Sequence, residues 1–184
     1  IERYVVIAAD PCSDSSQKRA TFFSSDLQES RDVPIRQSSS STGLGWGSYL
    51  RGVIAGLVSV GVDVPPIEAV IGSNIPRGGG LSSSAALEVA TATMLEGITC
   101  HQLEPLEKAL LCQRAEHDFA GVPCGIMDQF SSVFGMPNQL MLLDCMSQEI
   151  QAVSFCEEDV SVLITNSNVK HELASGEYAE RRHQ

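Results

Sequence analysis

One run of small residues constrains the fold of this chain more than any other feature. An apolar, strand-like segment (residues 67–75) ends at Pro76, and three glycines, a leucine and three serines precede a helical pattern. Glycine lets backbone N–H groups approach a ligand closely, and a helix N-terminus offers unpaired donors and the positive end of a dipole. The run therefore predicts a phosphate-binding loop between a strand and a helix, although it is no Walker A sequence because Gly-Lys-Ser/Thr is absent. An ordinary glycine-rich turn with serine caps is the alternative.

The net charge limits the class of ligand. With a formal net charge of −11 and an isoelectric point near 4.7, the chain lacks the basic footprint that nucleic-acid binding needs. The same charge does not exclude ATP, because local donors and Mg²⁺ outweigh the overall field. We therefore expect small-molecule ligands and no nucleic acid.

Cysteine usage and hydropathy indicate a cytoplasmic protein. The six cysteines are scattered, with no Cys-x-x-Cys and no zinc-like spacing with the four histidines. This pattern is typical of buried free thiols in a reducing cytoplasm. No apolar run approaches the roughly 20 residues that a membrane span requires, so no membrane contact is expected.

The hydrophobic pattern predicts strands and helices that do not alternate regularly. Strands are expected at residues 3–9 (buried), 20–24, 67–74, 140–144, 150–155 and 161–166. Helices are expected at residues 48–60, 83–96 (capped by Gly97), about 103–119 and from 176 onward. The second helix is expected to bury a face made of Ala86, Val89, Ala90 and Met94. This irregular mixture, without internal repeats, predicts α+β layers.

Three stretches, in order, resemble one family. The loop at residues 75–86 resembles the Pro-x-Gly-x-Gly-Leu-x-Ser-Ser-Ala signature of the GHMP kinases. Residues 115–130 read Ala-Glu-His-Asp-Phe-Ala-Gly-Val-Pro-Cys-Gly-Ile-Met-Asp-Gln-Phe and resemble the galactokinase segment that carries the catalytic aspartate. Residues 163–178 resemble the galactokinase segment that ends in a sugar-contacting tyrosine. The similarity covers roughly residues 44–184, and the chain resembles the middle of a galactokinase.

The resemblance implies a fold and a domain boundary. It implies a GHMP kinase N-terminal domain of the ribosomal protein S5 domain 2-like type, followed by a ferredoxin-like C-terminal domain. By that analogy residues 1–158 are an N-terminally truncated nucleotide-binding domain, and residues 159–184 begin the second domain. Apolar residues of this tail, such as Val162 and Ile164, are then expected to lack packing partners and to be exposed.

The resemblance also assigns residues to ATP and Mg²⁺. Phosphoryl transfer needs phosphate positioning, charge neutralisation and a group that accepts the hydroxyl proton. Ser84, or Ser83, with Glu116 matches the residues that hold Mg²⁺ in related kinases, while a solvated helix carboxylate is the alternative for Glu116. The nucleotide contacts are expected at Gly78, Gly79, Gly80, Leu81, Ser82, Ser83, Ser84 and Ala85.

The sugar and adenine sites are assigned in the same way. Asp128 corresponds to the catalytic aspartate, which acts on the anomeric hydroxyl of the sugar; whether it removes the proton early or accepts it late stays open. Gly125 is expected to bring backbone toward the sugar, and Tyr178 to pack on it or hydrogen-bond to it. Trp46, the only tryptophan, is either a core residue or a platform that stacks on adenine.

Two family motifs have no counterpart in the chain. The Gly-Glu-His-Thr-Asp segment, which supplies sugar ligands, does not precede Ile1, and no Gly-Gly-Gly-Phe-Gly-Gly-type loop is present. The chain is therefore expected to be an internal fragment that is inactive alone. The full-length protein is expected to be a monomer that phosphorylates galactose at its C1 hydroxyl. An N-acetylgalactosamine kinase and a non-catalytic, galactokinase-like sugar sensor are the alternatives.

Overall fold

The structure is a computed structural model that describes residues 1–12, 16, 18–36, 44–76, 79–155, 160 and 162–166. The described strands are β1 (Val5–Pro11), β2 (Arg19–Ser24), β3 (Glu29–Pro34), β4 (Ile67–Ser73), β5 (Gln139–Leu143) and β6 (Ile150–Ser154). The described helices are α1 (Gly47–Ser59), α2 (Ser83–Thr99), α3 (Pro105–Ala115) and α4 (Met127–Phe134), and a π-helical turn (Glu116–Ala120) continues α3. The predicted α+β class is confirmed.

Four of the strands form one sheet in the order β1-β4-β2-β3. β4 is antiparallel to β1 and parallel to β2, and β2 is antiparallel to β3. Strands β5 and β6 form a separate antiparallel hairpin. The parallel strands β2 and β4 cannot be joined by a tight turn. The chain between them runs through β3 and then α1, and α1 packs back onto β3.

The helices cover one face of the four-stranded sheet. Phe22 of β2 and Ile71 of β4 point into the core, whereas Val70 is half exposed. This alternation is what a sheet with one covered face requires. The prediction that the first strand is buried is therefore wrong, because β1 follows the same alternation and Val6 is 66% exposed on the open face.

Helix α1 lies at the centre of the helical layer. Its residues Leu50, Val53, Ile54 and Leu57 are fully buried, and their spacing is that of one helix face. A Cβ atom on Gly52 would lie only 2.6 Å from the Cβ of Ala115. Glycine at this position thus allows α1 and α3 to approach closely, and it fixes the end of α3, where the π-helical turn begins.

Helix α2 differs from its prediction in length and in part of its buried face. It continues through Gly97 to Thr99, and its C-cap is Cys100, which has φ 53°, so Gly97 is not its C-cap. A glycine inside a helix costs only about 1 kcal/mol, and Ile98 packs against the core beyond it. The predicted face is only partly right: Val89 and Met94 pack against the core, half-buried, whereas the deeply buried residues are Ala85, Glu88, Thr91, Ala92, Leu95 and Glu96.

The C-terminal part of the chain is only partly described. Residues 162–166 form no strand, so the strand predicted at 161–166 is wrong for that stretch. Val162 is 68% exposed and Ile164 is half exposed, as expected. The predicted helix from 176 and most of the predicted domain boundary at 157–160 lie outside the described residues, and that boundary stays a prediction.

Two sequence predictions concern features of the whole chain. Every described cysteine is a free thiol, as predicted, but only Cys112 is fully buried; Cys12 and Cys124 are half-buried, and Cys100 and Cys145 are exposed. Among the helices of the described part, none has the length and apolarity needed to cross a membrane.

Candidate functional site

The loop between β4 and α2 makes a sharp turn before the helix begins. Gly80 has φ +70°, a conformation that glycine adopts without strain, and Ser82 has φ 54° and ψ 40° at the N-cap. The Ser82 side chain makes no capping hydrogen bond, contrary to the capping role considered for the serines. The first amide groups of α2 are therefore not satisfied by a Ser82 cap. Gly78 lies outside the described residues.

Glu116 lies at the start of the π-helical turn and meets the beginning of α2. It is 3% exposed, so it is not the solvated helix carboxylate that the sequence left open. The Ser84 hydroxyl lies close enough to this carboxylate to lower its pKa, against the effect of burial. The structure thus brings together the two residues to which the resemblance assigned Mg²⁺.

Gln129, on α4, holds the same carboxylate from the other side. Its Nε2 donates to Glu116 Oε2 at 2.7 Å and to Glu88 Oε2 at 3.1 Å. The Cys124 thiol also donates to Glu116 Oε2, at 3.4 Å. Glu88, Glu116 and Gln129 therefore form a buried cluster, which we call the carboxyl–amide cluster, that ties α2, the π-helical turn and α4 together.

Burial changes the protonation of this cluster. Desolvation, reinforced by the Glu116 charge, raises the pKa of Glu88 to about 9, so Glu88 is a neutral acid at pH 7. Burial also raises the pKa of Glu116, although hydrogen bonds from Ser84, Cys124 and Gln129 oppose that effect. Among the described residues, Glu88 Oε1 and Gln129 Oε1 are buried without a hydrogen-bond partner.

Asp128 occupies the first turn of α4, next to the cluster. It is half-buried, and its charge contributes to the raised pKa values of Glu116 and Glu88. Three carboxyl groups from separate elements therefore lie within electrostatic range of each other. A negative charge in the first turn of a helix is favoured by the helix dipole.

The segment before Asp128 is anchored to α3 and the π-helical turn. The carbonyl oxygen of Cys124 lies 2.8 Å from His117 Nε2 and accepts a bond from Gln113 Nε2 at 3.4 Å. Gly125 follows directly and is exposed, and a Cβ at this position would have no neighbour within 4 Å. The backbone at Gly125 is thus accessible beside a fixed carbonyl.

Trp46 lies at the edge of the core, at the N-terminus of α1. It is half-buried, its Nε1 donates to Glu29 Oε2 at 3.4 Å, and the Arg31 guanidinium lies 5.7 Å from its ring centroid. Its packing against the core is partial, and its role with adenine stays a prediction. Tyr178 lies outside the described residues.

The donor set fits Mg²⁺ that arrives with a nucleotide. No group of three or more His, Cys, Asp or Glu side chains suited to a metal occurs in the described ranges. Mg²⁺ is usually held by one or two carboxylates, with phosphates and water completing its shell. Glu116 and the Ser84 hydroxyl are hard oxygen donors of this kind, placed beside the glycine loop.

The sequence reasoning missed Glu88, Gln129 and Cys124. A signal for Glu88 was available: it lies four residues after Ser84, and the helix face that it shares is otherwise uncharged as far as Leu95. An acidic residue on such a face is either paired or functional. A shallow concavity on the open face of the sheet, around Ala8 and Thr21, lies apart from these residues.

Comparisons with known proteins point to one family. Residues 38–136 match the GHMP kinases N terminal domain. The galactokinase of Homo sapiens is 48% identical over 139 residues, which cover 76% of this chain and 35% of that protein. The galactokinase of Canis lupus familiaris is 42% identical over 189 residues, covering 100% of this chain and 47% of that protein.

A solved galactokinase structure is also similar to this chain. The galactokinase of Lactococcus lactis, complexed with galactose, is 27% identical and superposes with a TM-score of 0.73, covering 84% of this chain and 40% of that one. The chain spans between a third and a half of the length of these relatives.

Proposed function

The chain belongs to the GHMP kinase family, and we therefore propose that the full-length protein is a galactokinase, which transfers the γ-phosphate of ATP to the C1 hydroxyl of galactose. The observation that carries the proposal is the meeting of Glu116 with the Ser84 hydroxyl at the start of α2, with Asp128 close by. The identity to galactokinases, 37% to 48% over most of the chain, supports the substrate.

The glycine loop and the start of α2 would hold the phosphates of ATP. Gly80 turns the chain with φ +70° just before the N-terminus of α2, where unpaired backbone donors and the helix dipole favour an anion. Ala85 is fully buried, so it would contribute through its backbone N–H alone. We extend the same role to Gly78 and Gly79, and we assign Trp46 to the adenine.

Glu116 and Ser84 would hold Mg²⁺, which neutralises charge on the phosphates when bound. The chain's own part is orientation. Two hydrogen bonds, from Cys124 and Gln129, hold the Glu116 carboxylate beside the Ser84 hydroxyl in a site from which water is largely excluded. An acceptor that is held in place before its ligand arrives needs no reorganisation during the reaction.

Asp128 would accept the proton of the C1 hydroxyl as the oxygen forms its bond to the γ-phosphorus and the bond to the β-phosphate oxygen breaks. Its place in the first turn of α4, half-buried and beside the accessible backbone of Gly125, supports this role. Tyr178 would provide a further contact to the sugar. The timing of proton transfer relative to phosphoryl transfer stays open.

The proposal includes the organisation of the full-length protein. We place the end of the nucleotide-binding domain near residues 157–160 and the protein in the cytoplasm, as a monomer. The free thiols of the described cysteines support a reducing compartment.

The Asp128→Asn variant of the full-length protein tests the proposal. We expect kcat for galactose phosphorylation to fall by about 10²-fold or more, the usual scale for an acid–base group. Galactose affinity should fall less, because the amide keeps the shape of the carboxylate. The matched control is Asp118→Asn, which changes an exposed carboxylate in the π-helical turn and should leave kcat unchanged. A coupled ADP-release assay over galactose and N-acetylgalactosamine measures both; unchanged turnover in Asp128→Asn would remove Asp128 from the mechanism.

A further inference from the structure

Gln129 hydrogen-bonds to both buried carboxyl groups of the cluster. It is fully buried, and its single Nε2 atom donates to Glu88 Oε2 and to Glu116 Oε2. An amide NH₂ group has two N–H bonds, so each carboxyl group receives one. A buried polar side chain is costly unless it is hydrogen-bonded, and Gln129 uses both of its donors in this way.

We propose that Gln129 is a positioning residue: anchored on Glu88, its amide orients the Glu116 carboxylate that faces Ser84, and so prepares the site for a metal–nucleotide complex. The inference rests on the Mg²⁺ part of the proposed function. It does not depend on which sugar is the substrate.

The geometry explains why two anchors are needed. A glutamate has three rotatable side-chain bonds, so one hydrogen bond does not fix the plane of its carboxylate. Gln129 Nε2 and Cys124 Sγ converge on the same oxygen, Glu116 Oε2, which holds that oxygen on the inner side of the cluster. The Gln129 amide in turn cannot rotate freely, because its second N–H is engaged by Glu88.

The hydrogen bonds of Gln129 also connect the two residues that would hold the metal, Ser84 and Glu116. Glu88 lies four residues after Ser84, one turn further along α2. A link from Glu88 through Gln129 to Glu116 therefore fixes the π-helical turn relative to the start of α2. The Lys108–Glu96 ion pair, at 2.6 Å, joins α2 to α3 near the other end of α2, and it provides a control that joins the same layer without touching Glu116.

The test measures nucleotide binding by the full-length protein. Isothermal titration with a non-hydrolysable ATP analogue, with and without Mg²⁺, gives the factor by which Mg²⁺ strengthens binding. We expect Gln129→Leu and Gln129→Asn to reduce this factor by about 10-fold or more, the usual scale for a group that orients a metal ligand. Binding without Mg²⁺ should change by less than about twofold, because the phosphate loop is intact.

Variants of Glu88, on which Gln129 is anchored, and of Lys108 in the ion pair complete the experiment. Glu88→Leu should reduce the Mg²⁺ factor as Gln129→Leu does, whereas Glu88→Gln should restore most of it, because its amide oxygen still accepts from Gln129. Lys108→Met should lower the melting temperature and leave the Mg²⁺ factor unchanged.

Two outcomes would overturn the inference. One is a folded Gln129→Asn protein that keeps the wild-type Mg²⁺ factor, and this variant decides the question if the leucine variants do not fold. The other is a loss of the factor in Lys108→Met equal to that in Gln129→Asn, which would show a general effect of loosened packing. Galactose turnover is measured separately; if the wild-type protein lacks it while the Mg²⁺ factor depends on Gln129, galactokinase activity is refuted and the positioning role is supported.

Discussion

Replacing Glu88 by glutamine should change how the stability of the protein depends on pH. The Glu88 side chain is fully buried, and burial together with the Glu116 charge raises its pKa from the ordinary 4.5 to about 9. In the folded protein at neutral pH the group is therefore protonated, whereas in the unfolded chain it is ionised. Glutamine is neutral at every pH and keeps an oxygen that accepts from Gln129, so the variant isolates the effect of ionisation.

The direction and the size of the effect follow from this difference in pKa. A group whose pKa is raised on folding contributes stability that is fully present below its unfolded pKa and is lost as pH rises through its folded pKa. For Glu88 this window runs from about pH 4.5 to about pH 9. Each pH unit is worth about 1.4 kcal/mol, so the loss over the 2.5 units between pH 4.5 and pH 7 is at most roughly 3–4 kcal/mol.

Urea unfolding of the full-length protein, at pH values from 5 to 8, measures the effect. We expect the free energy of unfolding of the wild type to fall relative to that of Glu88→Gln as pH rises, by about 1–3 kcal/mol over this range. Glu107→Gln, which replaces an exposed carboxylate on α3, controls for the change of net charge. A difference between wild type and Glu88→Gln that does not vary with pH would refute the reasoning, since it would mean that Glu88 ionises alike in the folded and unfolded states.

Two further predictions concern packing and the metal. Gly52→Ala should destabilise the protein by about 1–3 kcal/mol, because the new Cβ would lie 2.6 Å from the Ala115 Cβ. Gly97→Ala should instead stabilise it by up to about 1 kcal/mol, because no atom lies within 4 Å of its new Cβ. Thermal unfolding measures both, and melting temperatures in the opposite order would contradict this prediction. Glu116→Gln should raise the Mg²⁺ concentration needed for half-maximal turnover by about 10-fold or more, as measured by Mg²⁺ titration at saturating ATP, and an unchanged requirement would remove Glu116 from the metal site.

The sequence predicted best those elements in which apolar residues recur at regular helical or strand spacing. Helix α1 repeats apolar residues at helical spacing, and β4 alternates them. Strand β3 was missed because it is an edge strand of mostly polar residues, Glu-Ser-Arg-Asp-Val-Pro, of which only Val33 is deeply buried. Its strand conformation comes from pairing with β2, a contact between residues that local pattern does not reveal.

The site was predictable only in part, for a related reason. Family resemblance indicated Ser84, Glu116 and Asp128 one by one. The carboxyl–amide cluster depends on a contact between Gln129 and Glu88, which are 41 residues apart, and no periodicity in the sequence encodes such a pair. The centre of the buried face of α2 was missed for the same reason: Glu88 counts as a surface residue in any hydrophobic pattern, although the structure buries it completely.

Helix packing remote from the nucleotide loop also determines where Glu116 lies. Ala115, which contacts Gly52, is the last residue of α3, and the wider π-helical turn starts at the next residue. In that turn the Glu116 carbonyl accepts from the backbone of both Gly121 and Val122. Such a turn changes the direction of the side chains that follow a regular helix, and here it accompanies an inward Glu116 and the contact between His117 and the Cys124 carbonyl. The close approach of α1 to α3 is therefore part of the geometry of the proposed metal site, because a shift of α3 would move the Glu116 carboxylate away from Ser84.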